Sequence, residues 1–147
     1  MDCIFCKIVK NEIASHKISE NKDFLAILDI NPNTLGVTLV LTKKHYPSYV
    51  FKMDNKKYSE FLLFTKKVAK LLDKKLKVKR TAMIMEGMGI NHAHIKLYPL
   101  HGLKKEFKET WYPRKIFFKK YRGYISTQIG PRMNDKKLRK IADKLKE

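Results

Sequence analysis

The chain contains 147 residues, of which 44% are hydrophobic and 11% aromatic, so we expect one folded domain and not a disordered segment. The sequence has no run of 18 apolar residues, which excludes a membrane-spanning helix, and its N-terminus lacks the pattern of a signal peptide. A cytoplasmic location is therefore expected, with the nucleus as the alternative. The formal net charge of +19 would attract nucleic acids, anionic lipids or phosphorylated small molecules, although lysines covering a solvated surface explain it equally well.

The first third of the chain predicts a short helix and three strands. Residues 3–9 form a turn or helix that would place Ile4 and Ile8 on one face. Strands are predicted at 16–20, 24–28 and 36–42, where apolar and β-branched residues alternate with turn-forming segments.

The middle of the chain predicts one long helix and two more strands. The helix should run from about Asp54, a suitable N-cap, to Lys77. Its apolar residues recur at helical spacing opposite many lysines: Tyr58, Phe61, Leu62, Val68, Leu71, Leu72 and Leu76. The two strands should cover 81–85 and 91–99. Short loops between successive strands, with one helix crossing over, predict an α+β fold with a mainly antiparallel sheet.

The strand at 91–99 carries an unusual polar face. Side chains alternate along a strand, so His92, His94, Lys96 and Tyr98 should lie on one side. An ordinary amphipathic strand with a solvated face is the alternative explanation. Paired histidines are not typical of solvated faces, however, and their spacing would let neighbours share a phosphate or a metal. We therefore favour a functional site on this strand.

Two further segments carry signals of their own. Cys3 and Cys6 have C-x-x-C spacing, which inside the cell favours metal or redox chemistry over a structural disulfide. Beyond residue 102, the segment 104–122 mixes basic and aromatic residues that could stack on single-stranded nucleic acid. Burial as the packed side of an extension is the favoured interpretation. A strand or extended arm at 123–132 and a helix at 134–146 should complete a C-terminal extension, 103–147, packed on the domain 1–102.

Four segments in order resemble the histidine-triad (HIT) superfamily of nucleotide hydrolases and transferases. They read C-I-F-C-K-I-V-x-x-E-I from Cys3, L-D-I-N-P from Leu28, G-V-T-L-V-L-T-K-K-H from Gly36 and H-A-H-I-K-L from His92. Each motif is weak alone, but the four together cover roughly residues 3–99. The resemblance implies a HIT-like fold and a homodimer, although the C-terminal extension could cover the dimer surface instead.

The same resemblance implies a nucleotide substrate, with a purine nucleoside phosphate expected, and a role for several residues. His94 matches the nucleophile that attacks the α-phosphorus and forms a nucleotidyl-histidine. Asp29 matches the acidic residue that binds ribose hydroxyls. The apolar slot around the base is matched by Ile4, Phe5, Ile8 and Ile27. Ordinary core packing is an equally good explanation of Phe5.

A structural zinc ion is the second implication of the resemblance. Family members with an N-terminal C-x-x-C hold zinc with residues that match Cys3, Cys6, His45 and His92. Two thiolates and two imidazoles suit tetrahedral zinc. A redox C-x-x-C is the competing interpretation, but it lacks the βαβ context of thioredoxin-like motifs.

Three departures from the family pattern bear on catalysis. The third signature position, commonly His, is Lys96, and Val37 replaces a frequent histidine. The loop 85–90 lacks the usual neutral hydrogen-bond donors. Lys96 could stabilise transition-state charge in a phosphoramidase or dinucleoside polyphosphate hydrolase, which we favour. Alternatively, the protein binds nucleotide without turnover, or binds nucleic acid through the basic C-terminal segment. His101, just beyond the strand, is expected to be a surface residue.

Overall fold

A computed structural model describes residues 3–103, 117, 119 and 120. Two helices, α1 (Ile4–Val9) and α2 (Asn55–Leu76), and a short 3-10 helix (Val50–Lys52) accompany five strands in this part of the chain. The strands are β1 (Lys17–Glu20), β2 (Phe24–Leu28), β3 (Thr38–Thr42), β4 (Thr81–Ile84) and β5 (His94–Pro99). No helix within the described ranges is both long and apolar enough to cross a bilayer.

The strands form one antiparallel sheet in the order β1-β2-β3-β5-β4. β5 therefore lies between β3 and β4, although α2 and β4 separate it from β3 along the chain. The register pairs Leu41 with His94 and Leu39 with Lys96 across β3 and β5. Ile27 is paired with Leu39 on the other side of β3. These pairs share one face of the sheet because side chains alternate along each strand.

Each face of the sheet is covered by a different helix. On one face, α2 packs Phe61, Phe64 and Val68 against Ala26, Val40 and other residues of the larger core cluster. On the opposite face, Phe5 and Ile8 of α1 pack against a second cluster that includes Leu25, Ile27, Leu39 and Leu41. The histidine signature lies on this second face, so α1 and the sheet together enclose the site.

The long helix α2 begins and ends next to the capping residues that the sequence predicts. Asp54 precedes the first turn and accepts a hydrogen bond from the Lys57 amide at 2.9 Å. At the other end, Lys77 adopts a left-handed conformation with φ of 53°. The helix buries Phe61, Phe64, Thr65, Val68 and Leu72, as a helical stripe requires.

The sequence-based prediction of an α+β antiparallel fold with one long helix is confirmed, and the elements differ mainly at their ends. β5 begins at His94 and not at 91, because the backbone amides of the two residues before His94 donate hydrogen bonds to loop residues. The His92 amide donates to the Ile90 carbonyl and the Ala93 amide to the Tyr46 carbonyl. The arm at 123–132, the helix at 134–146 and nearly all of the basic aromatic segment lie outside the described residues, so the proposed domain boundary stays a prediction.

Candidate active site and metal centre

His94, at the start of β5, is fixed in one tautomer by a backbone carbonyl. Its Nδ1 donates a hydrogen bond to the His92 carbonyl oxygen at 2.7 Å. A carbonyl oxygen only accepts, so Nδ1 carries the proton and Nε2 of the neutral ring keeps its lone pair. The residue is only 5% exposed, so little of the ring faces solvent.

Burial lowers the pKa of His94, and the nearby ammonium of Lys96 lowers it further. The hydrogen bond to the His92 carbonyl and the carboxylates of Glu86 and Asp29 act in the opposite direction but do not outweigh the desolvation. The imidazole is therefore neutral near pH 7. A neutral imidazole with a free nitrogen is the form that can act as a nucleophile.

A cavity of about 330 Å³ adjoins His94. All seven residues expected at the catalytic and nucleotide-binding positions line it: Ile4, Phe5, Ile8, Ile27, Asp29, His94 and Lys96. The Phe5 ring makes an edge contact with the His94 ring at a centroid distance of 5.1 Å. Phe5 is also 5% exposed and part of the second core cluster, so it belongs to both the core and the cavity wall.

Asp29 lies just beyond the end of β2 with one carboxylate oxygen engaged. Its Oδ1 accepts a hydrogen bond from the Asn31 amide at 2.8 Å. This contact holds the side chain at the rim of the cavity and leaves the carboxylate able to accept further hydrogen bonds.

The cavity also has lining residues that sequence reasoning did not assign. These are Ile13, Ala14, Ser15, Leu28, Ile30, Asn31, Leu39, Glu86, Gly89 and Ile90. Glu86 is the charged member of this set, and it lies in the loop between β4 and the histidine signature. Its sequence position was visible, but only the fold of the loop brings its side chain to the cavity.

The four expected metal ligands come together next to this cavity. One ligand atom from each of Cys3, Cys6, His45 and His92 lies within 4.8 Å of all the others. Nδ1 of His92 is 3.4 Å from Sγ of Cys3 and 3.5 Å from Sγ of Cys6. Nδ1 of His45 is 3.4 Å from Sγ of Cys6. Both cysteines are free, so this cluster could hold a metal ion.

His92 is oriented for ligation by a second backbone contact. Its Nε2 donates to the Thr42 carbonyl oxygen at 2.8 Å, with the Thr42 hydroxyl at 3.3 Å. Nδ1 is then the unprotonated nitrogen and faces the two thiols. Burial also lowers the pKa of His92, which favours the neutral ring that a metal requires.

Phe5 connects the two centres. Its ring makes edge contacts with both the His92 ring, at a centroid distance of 5.7 Å, and the His94 ring. Cys3 is the N-cap of α1 and Cys6 lies in its first turn next to Phe5, so two of the four candidate metal ligands and part of the cavity wall come from the start of one helix. His101, in contrast, is exposed, donates to the Leu35 carbonyl at 2.9 Å and does not line the cavity.

Comparisons with known proteins agree with this arrangement. Residues 10–102, more than half of the chain, match the family model of the HIT domain. Over 124 residues the chain is 33% identical to an adenosine 5′-monophosphoramidase of Saccharomyces cerevisiae, covering 80% of this chain and 75% of that protein. It is 46% identical over 71 residues to an uncharacterized HIT-like protein of Borreliella burgdorferi, a match that spans only half of that protein and 48% of this chain.

A solved structure with the same fold also contains metal. It is a zinc-bound histidine triad family protein from Mycobacterium smegmatis, with a TM-score of 0.64 and 26% identity, covering 75% of this chain and 84% of that one. The fold, the histidine signature and the match over most of the domain lead to one conclusion: the chain belongs to the HIT domain family.

Proposed function

We propose that the protein is a nucleotide hydrolase or nucleotidyl transferase that acts at the α-phosphate through a nucleotidyl-histidine on His94. The observation that carries this proposal is the free Nε2 of a buried, neutral His94 beside a cavity of about 330 Å³. Relatives that are adenosine 5′-monophosphoramidases support nucleotide hydrolysis at the level of the family.

The nucleoside would occupy the α1 side of the cavity. The apolar side chains of Ile4, Phe5, Ile8 and Ile27 form a slot that suits a purine base. Asp29 would accept hydrogen bonds from the ribose hydroxyls, because its backbone contact to Asn31 already fixes its position. The α-phosphate would then lie at His94 and Lys96.

In the first step, the Nε2 lone pair of His94 attacks the α-phosphorus. The bond from phosphorus to the leaving group breaks, and the leaving group takes the electron pair. The ring, now bonded to phosphorus, keeps its Nδ1–H directed at the His92 carbonyl, which stabilises the charge on the ring. Lys96 would neutralise charge on the phosphoryl oxygens.

In the second step, water attacks the phosphorus and releases a proton to solvent, the P–N bond returns its electrons to Nε2, and a nucleoside monophosphate leaves. Another acceptor in place of water would make the protein a transferase. Lys96 replaces the third histidine of the family pattern, so the proton for the leaving group would come from solvent or from another group of the site.

We also propose that the ion held by Cys3, Cys6, His45 and His92 is zinc. Ordinary Zn–S and Zn–N bonds in tetrahedral geometry require sulfur and nitrogen ligands about 3.5 Å apart. The sulfur–nitrogen distances of 3.4, 3.4 and 3.5 Å agree with this requirement. The donor set and the tautomer of His92 suit zinc, which would hold α1 against the sheet as a structural ion.

The proposed activity is tested by nucleotide release from an adenosine 5′-phosphoramidate and a dinucleoside polyphosphate. Wild-type protein should release AMP, and His94→Asn should lower the rate by at least about 10³-fold while still binding AMP. Saturable binding without turnover that depends on His94 would instead identify a nucleotide-binding module.

Nucleic-acid binding through the basic C-terminal segment is the remaining alternative. It would give an affinity that falls steeply with salt and that is lost on deletion of 103–132. A homodimer and a cytoplasmic or nuclear location stay predictions from the sequence.

A further inference from the structure

The charge of the cavity differs from the charge of the chain. The chain carries a net charge of +19, yet the charged side chains among the described residues of the cavity wall are Asp29, Glu86 and Lys96. Two carboxylates and one ammonium thus surround a neutral His94. A single cation matches the single negative charge of an α-phosphoryl group, but it does not match the several charges of a polyphosphate chain.

The sheet register places Glu86 beside the nucleophile. β4 and β5 are antiparallel, and Ile84 is paired with Lys96. Glu86 lies two residues after Ile84 and His94 two residues before Lys96, so continuing this antiparallel register past its last pair would bring Glu86 level with His94 on the same face. Although Glu86 lies just beyond the end of β4, both residues line the one cavity.

The backbone of the loop holds Glu86 in this place. Gly87 follows it with φ of +64°, and a Cβ there would lie 2.6 Å from Cβ of Ser48. The Ser48 amide also donates to Oδ1 of Asn91 at 3.0 Å. The close packing of Gly87 on Ser48 and this hydrogen bond attach the loop to Ser48 at Gly87 and at Asn91, next to the Glu86 backbone.

The positions of Asp29 and Glu86 determine how a nucleotide would be oriented in the cavity. Asp29 lies at the end of β2 and Glu86 at the end of β4, with β3 and β5 between them. Three strand spacings amount to about 14 Å measured across the sheet. With the nucleoside at Asp29 and the phosphorus at His94, the group beyond the phosphorus faces Glu86.

We propose that Glu86 is a specificity-determining residue that favours substrates whose leaving group is a positively charged amine over nucleotides whose leaving group is a phosphate chain. This inference rests on the proposed function, because it assumes the nucleoside end of the cavity. The carboxylate attracts an ammonium group on the departing amine and repels the phosphates of a dinucleoside polyphosphate.

Two adenosine 5′-phosphoramidates of equal size test the proposal. One carries ethylenediamine, whose second amino group is protonated, and the other carries propylamine, which is neutral beyond the P–N bond. Wild-type kcat/KM should be about tenfold higher for the charged substrate, as expected for one partly screened ion pair. Glu86→Gln should make the two values nearly equal, whereas Glu86→Asp should keep most of the preference.

A matched control removes a carboxylate elsewhere. Glu60 lies on α2, which packs on the opposite face of the sheet, so Glu60→Gln should keep the wild-type preference. If Glu86→Gln also keeps the full preference while turnover persists, the role of Glu86 is overturned and the proposed function stands.

Binding measurements test the role of Glu86 independently of the proposed catalysis by His94. In a His94→Asn background, competition should show that Glu86→Gln strengthens ADP binding several-fold and weakens binding of the ethylenediamine phosphoramidate. This result without turnover in the wild type would overturn the proposed catalysis and keep Glu86 as a selector of ligands. Absence of nucleotide binding would overturn both.

Discussion

His92 and His94 are two residues apart, yet they are held in different tautomers: Nδ1 is unprotonated in His92 and Nε2 is unprotonated in His94. In His92, Nε2–H donates a hydrogen bond to the Thr42 carbonyl and Nδ1 faces the thiols. In His94, Nδ1–H donates to the His92 carbonyl and Nε2 keeps its lone pair. The carbonyl that orients His94 belongs to His92 itself. The backbone of the proposed metal ligand therefore orients the proposed nucleophile, which is a direct physical link between the two centres.

Lys96 is the residue at which the proposed chemistry departs most from the family pattern. Lys96→Met should lower kcat/KM by about 10²-fold, because the charge on the transferring phosphoryl group would lose its cation. Lys96→Arg keeps the charge and should retain more activity than the Met variant. Steady-state kinetics with an adenosine phosphoramidate measure both.

The control for this prediction is Lys70→Met, at an exposed position on α2, which removes the same charge from a distant surface. It should leave kcat/KM unchanged. Equal activity in the wild type and the Lys96→Met variant would show that Lys96 does not act on the phosphate.

The sequence predicts most boundaries of the helices and strands because local signals set them. The expected helix from 54 to 77 and the observed Asn55–Leu76 differ only by the capping residues, and β2 has the expected bounds. The strand order β1-β2-β3-β5-β4 depends on contacts between distant segments, which no local pattern encodes. The resemblance, and not periodicity, supplied the ligand set.

In the candidate site too, some residues are predicted by local sequence patterns and others depend on contacts between distant segments. Strand alternation and family motifs were sufficient to place His94 and Lys96 in the cavity. Glu86 could not be placed in this way, because its position depends on the turn at Gly87 and the packing of that turn on Ser48. These are tertiary contacts between two loops, and the sequence gives no periodic signal for them.

The packing of α2 on the sheet predicts a large difference between two helix positions. Phe61 is fully buried and stacks on Phe24 at a centroid distance of 5.3 Å. Phe61→Ala should lower the free energy of unfolding by about 3–5 kcal/mol, because it removes buried apolar surface and leaves a cavity. Denaturant titration measures the loss.

Leu63, two residues away on the same helix, is 65% exposed and provides the control. Leu63→Ala should change the free energy of unfolding by no more than about 0.5 kcal/mol. Comparable losses for the two variants would contradict the described orientation of α2.

The proposed zinc site joins the N-terminal helix to the sheet. Two ligands belong to α1 or its N-cap, and the others precede β5 or follow β3. Because α1 also supplies part of the cavity wall, loss of the ion should loosen the nucleotide site as well as the fold.

Metal analysis tests this prediction. Purified protein should release about one zinc per chain on denaturation, and His45→Ala should lower both the zinc content and the Tm. His16→Ala, which removes an exposed histidine outside the cluster, should change neither. Wild-type protein that releases no zinc and has two reactive thiols would refute the assignment.

The proposed mechanism requires Nε2 of His94 to become bonded to the substrate phosphorus during turnover. The most direct measurement is rapid quenching of the protein during turnover of an adenosine phosphoramidate, followed by mass spectrometry of its peptides under conditions that preserve P–N bonds. We expect the peptide that contains His94 to gain one adenylyl group, and this gain to be absent in His94→Asn. Turnover with an unmodified His94 in every quenched sample, or with the adenylyl group on another residue, would contradict the proposal.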